Sequence, residues 1–372
     1  MISIKEVTTK KELKEFIKFS FTLFKDNPYW IPPLISDELE TFDKTKNPAF
    51  ENAEAKFYMA YKNNKPVGKI AAIINWQEIK EQQIRKIRFG WFDVIDDIEV
   101  TKALLEKVYE YGRQHNLEYT EGPMGFNNLD KVGVLTEGFK EKGTAISWYS
   151  PEYYKEHLEQ LGYVMEKEWI ESEFPFSNIN PDDFRRASEM VKKRYGLTPL
   201  RLTKTKDVMP YVDEMFALFN KTYEKLSSFV AVTDAQRDYF KKKYIGLINP
   251  EYIKFIVDKE GKMVAFSIVM PDFADALKKA NGRLFPFGFI HLLRAKKRSK
   301  SVAFYLIGID EKYQNKGLTA IIFEENYESF TKNKVEMCIR TPELEENHAV
   351  HNLWKAFNAR IHKRRRTYRK DL

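Results

Sequence analysis

The sequence predicts an α/β chain of two domains in tandem, and three observations predict it. The chain has 372 residues, the length of two ordinary domains. Its helix and strand patterns come in an order that repeats at an offset of about 200 residues. In the second half an apolar strand, Tyr305 to Ile309, runs through a polar turn into a helix. Such a junction aims several backbone N–H groups at one point.

Composition sets the limits. Hydrophobic residues make up 43% and charged residues 31%, which is globular rather than disordered. Aromatics reach 15%, enough to fill a core and line an apolar pocket. Cys338 is the only cysteine, which excludes an intrachain disulfide and a cysteine-based zinc cluster; no metal is expected. Met1 to Lys5 begins no signal peptide, and no run approaches the roughly 18 apolar residues of a membrane-spanning helix. A cytoplasmic protein is expected, peripheral to the inner face of the membrane if it meets one. The formal net charge of +8 suits an anionic partner. The tail Arg360–Leu372 concentrates it, with seven basic residues against Asp371. No nucleic-acid motif accompanies the charge, so no specific nucleic acid is expected.

The first half reads as a helix over Lys10–Phe24, a Pro-rich turn over Asn27–Pro33, and a hairpin. The hairpin strands are Lys56–Tyr61 and Val67–Ile74, about the turn Asn63–Pro66. Arg88–Ile95 is a strand. Val100–His115 is a helix with Val100, Leu104, Val108 and Tyr111 on one face. Tyr119–Gly122 is a strand, Tyr153–Leu161 a helix capped by Gly162, and Val164–Phe174 a closing strand. Ser177–Asp183 is polar with breakers and reads as the linker, which puts the domains at 1–176 and 184–372.

The second half repeats the order. Thr198–Leu202 is a strand and Val208–Leu226 a helix. Tyr252–Asp258 and Met263–Met270 form a hairpin about Lys259–Lys262. Val302–Ile309 is a strand, Gln314–Phe330 a helix, Val335–Arg340 a strand, Val350–Phe357 a helix and His362–Arg369 a last strand. The two hairpins match in pattern with little residue identity.

The chemistry concentrates at the strand–turn–helix. The dipole of a helix beginning near Gln314 adds partial positive charge to its free N–H groups. Gly317 permits close approach of a pyrophosphate, and Lys316 adds charge. The run Gln314-Asn315-Lys316-Gly317-Leu318-Thr319 resembles the Gln/Arg-x-x-Gly-x-Gly/Ala signature of GNAT (Gcn5-related) acyltransferases, with Thr319 where that family has Gly or Ala. The resemblance implies two GNAT-like domains, each a mixed, mostly antiparallel central sheet flanked by helices. It also implies an acyl-CoA co-substrate held by Gln314, Asn315, Lys316, Gly317, Leu318 and Thr319, with Leu306, Ile307 and Ile309 along the strand. The segment Glu346 to Phe357 is similar to the Asn…Leu-Tyr ending of the family. There Asn347 takes the place of a CoA-facing Asn and Trp354 that of a Tyr that protonates the leaving thiolate. An indole cannot do that work. Candidate bases are Glu345, His348 and His351 beside that segment, and Asp93 or Glu121 in the first half. The first half has Asp96-Asp97-Ile98-Glu99 where a phosphate turn would stand. Carboxylates there repel phosphate, so that half reads as a GNAT-like domain that has lost the site.

The insertion Gly282–Lys300 reads as an apolar patch followed by Arg294, Lys296, Lys297, Arg298 and Lys300. It suits an anionic membrane surface or the mouth for a lipid chain; its bland reading is a buried helix with a solvated basic end. The phrases Lys25–Pro33, Arg88–Asp93, Gly282–Gly288 and His362–Arg366 are similar to a group of bacterial GNAT-like proteins that includes bacterial ceramide synthases. That resemblance implies acyl transfer to an amine, with a long-chain amino alcohol as the amino-lipid acceptor. Two other readings stay open. One is an aminoacyl-tRNA-dependent transferase like the Fem ligases. The other is a non-catalytic GNAT-fold protein that binds acyl-CoA or membrane.

Overall fold

The computed structural model describes residues 1–226 and 229–372. The chain forms two compact units. The first is Met1–Ile170 with Leu277–Gly288 and His362–Leu372, and the second is Glu171–Ala276 with Phe289–Ile361. The basic tail and part of the 282–300 insertion, both late in sequence, therefore group with the first unit.

In the first unit β1 (Ile2–Glu6), β2 (Ala53–Lys62), β3 (Lys65–Asn75) and β4 (Lys86–Val94) form an antiparallel ladder. α1 (Lys10–Leu23) opens on a capping box, with Thr9 and Glu12 satisfying each other's free N–H groups. Phe16, Ile17 and Phe19 of α1 are buried. α2 (Ile35–Thr41) and α3 (Trp76–Gln82) are short connectors. α4 (Ile98–Gln114) buries Val100, Leu104, Leu105, Val108 and Tyr111, the stripe its periodicity predicts. β5 (Tyr119–Gly122) runs parallel to β4, and the C-terminal strand pairs antiparallel with β5 and with β6 (Val134–Glu137). α5 (Tyr153–Gln160) follows. β7 (Val164–Pro175) begins in this unit and ends in the second.

The second unit opens with α6 (Asp182–Tyr195), the short β8 (Thr198–Leu200), the single turn α7 (Thr205–Val208), α8 (Val212–Tyr223) and α9 (Asp234–Tyr244). β9 (Ile253–Val257) and β10 (Met263–Pro271) make the expected hairpin. α10 (Ala274–Ala280) and α11 (Gly288–Arg298) precede β11 (Ser301–Ile309). Then come α12 (Leu318–Lys332), β12 (Met337–Leu344), α13 (His348–Trp354) and the final β13 (Arg360–Asp371), which ends in the first unit. The sheet order is β8-β9-β10-β11-β12, antiparallel except for β11 and β12. Each unit is thus a mixed, mostly antiparallel sheet with helices packed on it, as expected.

α6 covers most of the ground just after the predicted linker. Pro181 stands at its N-cap, Asp182 and Asp183 fill its first turn, and Gly196 ends it at φ 64°. Pro and Asp at a helix start are favourable for the same reasons that make them breakers elsewhere. α12 begins at Leu318 rather than at Gln314, because a 3-10 turn, Glu311–Tyr313, comes first.

Candidate functional site

The two sheets share one irregularity. β11 pairs with β12 only from Ser301↔Met337 to Phe304↔Arg340. Immediately beyond, the pairing of β11 with β10 skips Tyr305. A bulge bends its strand, so β11 turns away from β12 where their ladder stops. Leu306, Ile307 and Ile309 lie on this diverging end, all part-exposed.

The turn that follows is tightly tied. Asp310 accepts from the Lys312 N–H at 3.0 Å and pairs with Lys221 at 2.8 Å. Burial works against the Asp310 anion, yet Lys221 and the N–H of Lys312 hold its pKa below the usual carboxylate value. Glu311 pairs with Lys225, so two lysines of the α8 region anchor the turn. Gln314 Nε2 donates to the Ile309 carbonyl at 3.0 Å. Asn315 at φ 59° and Gly317 at φ 81° both adopt left-handed backbone. Gly317 is the N-cap of α12 and supplies no capping side chain. The first turn of α12 therefore presents its N–H groups without an internal carboxylate or hydroxyl. Gln314, Asn315, Lys316 and Gly317 are exposed, while Leu318 is buried and Thr319 part-buried. Lys316 Nζ stands 5.5 and 5.7 Å from the rings of Tyr195 and Tyr313, which hold its charge at the turn. The residues present fit a diphosphate: free N–H groups, a helix dipole and a fixed cation.

Beyond the end of the β11–β12 ladder lies a charged cluster. Glu343 on β12 has a side chain 14% exposed and is gripped by the Arg340 guanidinium. Arg340 is buried, lies 5.1 Å from the Trp354 ring, and its Nη2 is 3.1 Å from His351 Nδ1. Burial raises the Glu343 pKa, opposed by Arg340, His351 and the Trp354 indole. Trp354 Nε1 still makes no hydrogen bond of normal geometry. Tyr223, at the end of α8, donates to the Ile307 carbonyl at 3.1 Å. Burial raises its pKa to about 12, with Glu343 among the groups that add to the shift.

The second-half residues expected for proton transfer have separate placements. Glu345 and His348 are exposed. His351 is held at both nitrogens: Nε2 donates to the Leu344 carbonyl, 2.9 Å away, and Nδ1 faces both Arg340 Nη2 at 3.1 Å and Glu343 Oε2 at 3.5 Å. Asn347 uses its side-chain oxygen to cap α13 through the Val350 N–H, 3.3 Å away. Trp354 is 3% exposed and packs against Phe304 and Phe323. Sequence reasoning missed Glu343, Arg340 and Tyr223. Nothing local in the sequence marks them as parts of a site.

In the first unit Asp93 binds Lys69 at 3.2 Å and accepts from the Ser20 hydroxyl at 2.6 Å. Glu121 is 1% exposed and pairs with Lys86 at 2.8 Å. After β4 the Asp97 carboxylate caps α4, accepting from the Glu99 N–H, and pairs with Lys62 at 2.9 Å.

Comparison with known proteins places this geometry. No family model matches the chain. It is 26% identical to protein YghO of Escherichia coli over 99% of this chain and 95% of that protein. It is 25% identical to the bacterial ceramide synthase of Caulobacter vibrioides, over 84% and 82% of the two chains. Among solved structures, a tandem GNAT protein from the clavulanic acid biosynthesis pathway aligns over 100% of this chain and 98% of its own. Its TM-score is 0.60 at 11% identity. A probable N-acyltransferase from Enterococcus faecalis aligns over 100% and 73%, with TM-score 0.55. The bulged strand, its diverging parallel neighbour and the helix beyond are thus those of a known architecture, and the chain has the tandem GNAT fold.

Proposed function

We propose that this chain transfers an acyl group from acyl-CoA to an amine, using the second unit. The observation that carries the reading is the divergence of β11 from β12 directly before the Gly317-capped start of α12. The turn from Gln314 to Thr319 receives the diphosphate. The diverging backbone of Leu306, Ile307 and Ile309 lies along the thioester arm, with Asn347 and Trp354 on the β12 side.

In this reading the amine nitrogen attacks the thioester carbonyl carbon, forming the C–N bond as the C–S bond breaks. A backbone N–H of the free edge of β11 stabilises the oxyanion. Glu343 takes the ammonium proton. Its raised pKa brings it nearer to neutrality than a solvated carboxylate, which suits a general base. Tyr223 stays protonated at working pH, and its O–H, given to the Ile307 carbonyl in the free chain, turns to the departing sulfur when the acyl-CoA is bound. It supplies from α8 the hydroxyl that position 354 lacks. Glu345 and His348 are the alternative bases within this unit and are separable from Glu343 by mutation.

Two features support an amphiphilic acceptor such as a long-chain amino alcohol. One is the similarity to the bacterial ceramide synthase. The other is α11. Its covered positions are Gly288, His291, Leu292, Ala295 and Lys296, and its exposed face carries Phe289, Ile290, Leu293, Arg294, Lys297 and Arg298. Ile290 and Leu293 are 47% and 54% exposed. Three apolar side chains beside three cations fit the interface of an anionic bilayer. Among the described residues, no helix is long and apolar enough to cross a membrane. Incubation with palmitoyl-CoA and a long-chain amino alcohol should release thiol and yield the amide by mass spectrometry. Normal CoA binding without thiol release across a panel of amines would instead favour a non-catalytic binder.

A further inference from the structure

The first unit keeps the same wedge as the second but fills it differently. β4 runs parallel to β5 only as far as Arg88↔Glu121. It then bulges, because Trp91 and Phe92 stand opposite Ile70 alone. Trp91 adopts φ 43°, a conformation that bulky side chains rarely accept. A cavity of about 40 Å³ opens here, with every lining residue in the first unit. It has room for a few water-sized groups. Trp30, Trp91 and Trp148 supply indole walls.

The polar groups of this cavity divide into satisfied and unsatisfied ones. Asp93 is bound by Lys69, Ser20 and Tyr154. The Ser150 hydroxyl accepts from the Leu135 N–H at 2.6 Å, and the hydroxyls of Ser147 and Thr144 share a bond of 2.8 Å. Glu38 is half used, since one oxygen accepts from Trp91 Nε1 at 2.8 Å. Lys131 is different. Among the described residues its ammonium makes no hydrogen bond and no ion pair, although it lines the cavity with Glu38. Burial lowers its pKa, and Glu38 and Asp93 pull the other way. Lys131 is part-exposed, so its ammonium keeps some contact with water but has no protein acceptor, and an acceptor bound in the cavity would supply one.

We propose that the cavity binds a two- or three-carbon hydroxy- or amino-carboxylate, with its carboxylate on Lys131 and its hydroxyl or amine on Glu38. A carboxylate matches the single unmet cation. A donor on the neighbouring carbon matches the half-used Glu38, and a cavity of about 40 Å³ admits no longer body. The site is independent of acyl transfer in the second unit.

Tryptophan fluorescence of the full chain, titrated with glycolate, glycine, L-lactate and L-serine, reads the site through its three indole walls. Saturable changes are expected at millimolar concentration. Propionate lacks the donor and ethanolamine lacks the carboxylate, so each should bind at least about tenfold more weakly. Lys131→Met should weaken glycolate binding at least about tenfold, and Glu38→Gln should narrow the gap between glycolate and propionate. Should Lys131→Met fail to fold, amine labelling of the wild-type chain gives a second reading, in which glycolate protects Lys131 selectively. Three results would overturn the proposal: no ligand of the panel binding, ethanolamine binding as well as glycolate, or Lys131 labelling unaffected by glycolate.

Discussion

The two units build the same wedge and end it with opposite chemistry. Each has a bulged strand whose parallel neighbour follows it briefly and then departs, and each sends the chain into a helix beyond the bulge. In the second unit that helix starts at Gly317, which leaves its first turn open to an external anion. In the first unit it starts at Asp97, whose carboxylate occupies the helix N-terminus from within the chain. The dipole that would hold a phosphate holds a side chain instead. An intramolecular anion stabilises the helix at all times, whereas an external one does so only when bound. A cap thus stands in the first unit where the second leaves its helix start open.

The largest test of that contrast lies under the wedge of the first unit. Glu78, Lys86, Arg88 and Glu121 form a buried network, with Lys86 2.9 and 2.8 Å from Glu78 and Glu121, and Arg88 2.9 Å from Glu78. Burial penalises the Glu78 anion, but Arg88 and Lys86 outweigh this and lower its pKa. Arg88→Met leaves Glu78 short of a partner and should destabilise the chain by about 3–5 kcal/mol in denaturant unfolding. A loss below about 1 kcal/mol would show the network to be hydrated.

In the second unit Glu343→Gln should lower turnover by about 10²–10⁴-fold, with CoA affinity nearly unchanged. Because burial raises this pKa, wild-type activity should rise with pH through a value above the ordinary Glu range, and the variant should lose that limb. Equal loss in Glu345→Gln or His348→Gln would move the base to the exposed end of the segment.

A smaller effect separates the units by pH. Asp130 in the first unit has its pKa raised to about 6, chiefly by burial, against the Phe126 and Asn127 N–H groups. A carboxyl whose folded pKa is raised stabilises the fold fully below its unfolded pKa, near 4. That stabilisation is lost as pH rises through about 6. Asp130→Asn should flatten this part of the stability–pH curve, as followed by melting temperature between pH 4 and 7.

Much of this was legible in the sequence. The hairpins, the α4 stripe and the strand–turn–helix at Gln314 follow from periodicity and turn chemistry. Other positions were harder to read, because one residue type serves two purposes. Pro181 and Asp182 looked like linker and begin α6. Asn347 matched a ligand-facing position and caps α13. His351, a plausible base in sequence, has both nitrogens engaged by groups its own neighbourhood supplies. Glu343 and Tyr223 escaped notice because nothing local marks them; they matter through where β11 leaves β12 and where α8 ends. The Lys25–Pro33 and Arg88–Asp93 phrases were quoted for similarity alone. They supply Trp30, Ile31, Trp91 and Asp93 to the cavity of the first unit, and Arg365 from the basic tail donates to the Trp148 carbonyl at 2.6 Å. The basic tail, read as a last strand whose charge suits an anionic partner, is partly an internal brace, since Arg365 is 1% exposed.

The central claim is that one unit binds CoA and the other does not. Calorimetric titration of the full chain with CoA tests it most directly, alongside Gly317→Val and Asp97→Ala. A branched side chain at φ 81° strains the turn, and Val191 already lies 3.1 Å from where its Cβ would sit. One CoA per chain is expected, with binding at least about tenfold weaker in Gly317→Val and unchanged in Asp97→Ala. Two CoA molecules per chain, or full affinity in Gly317→Val, would contradict the claim.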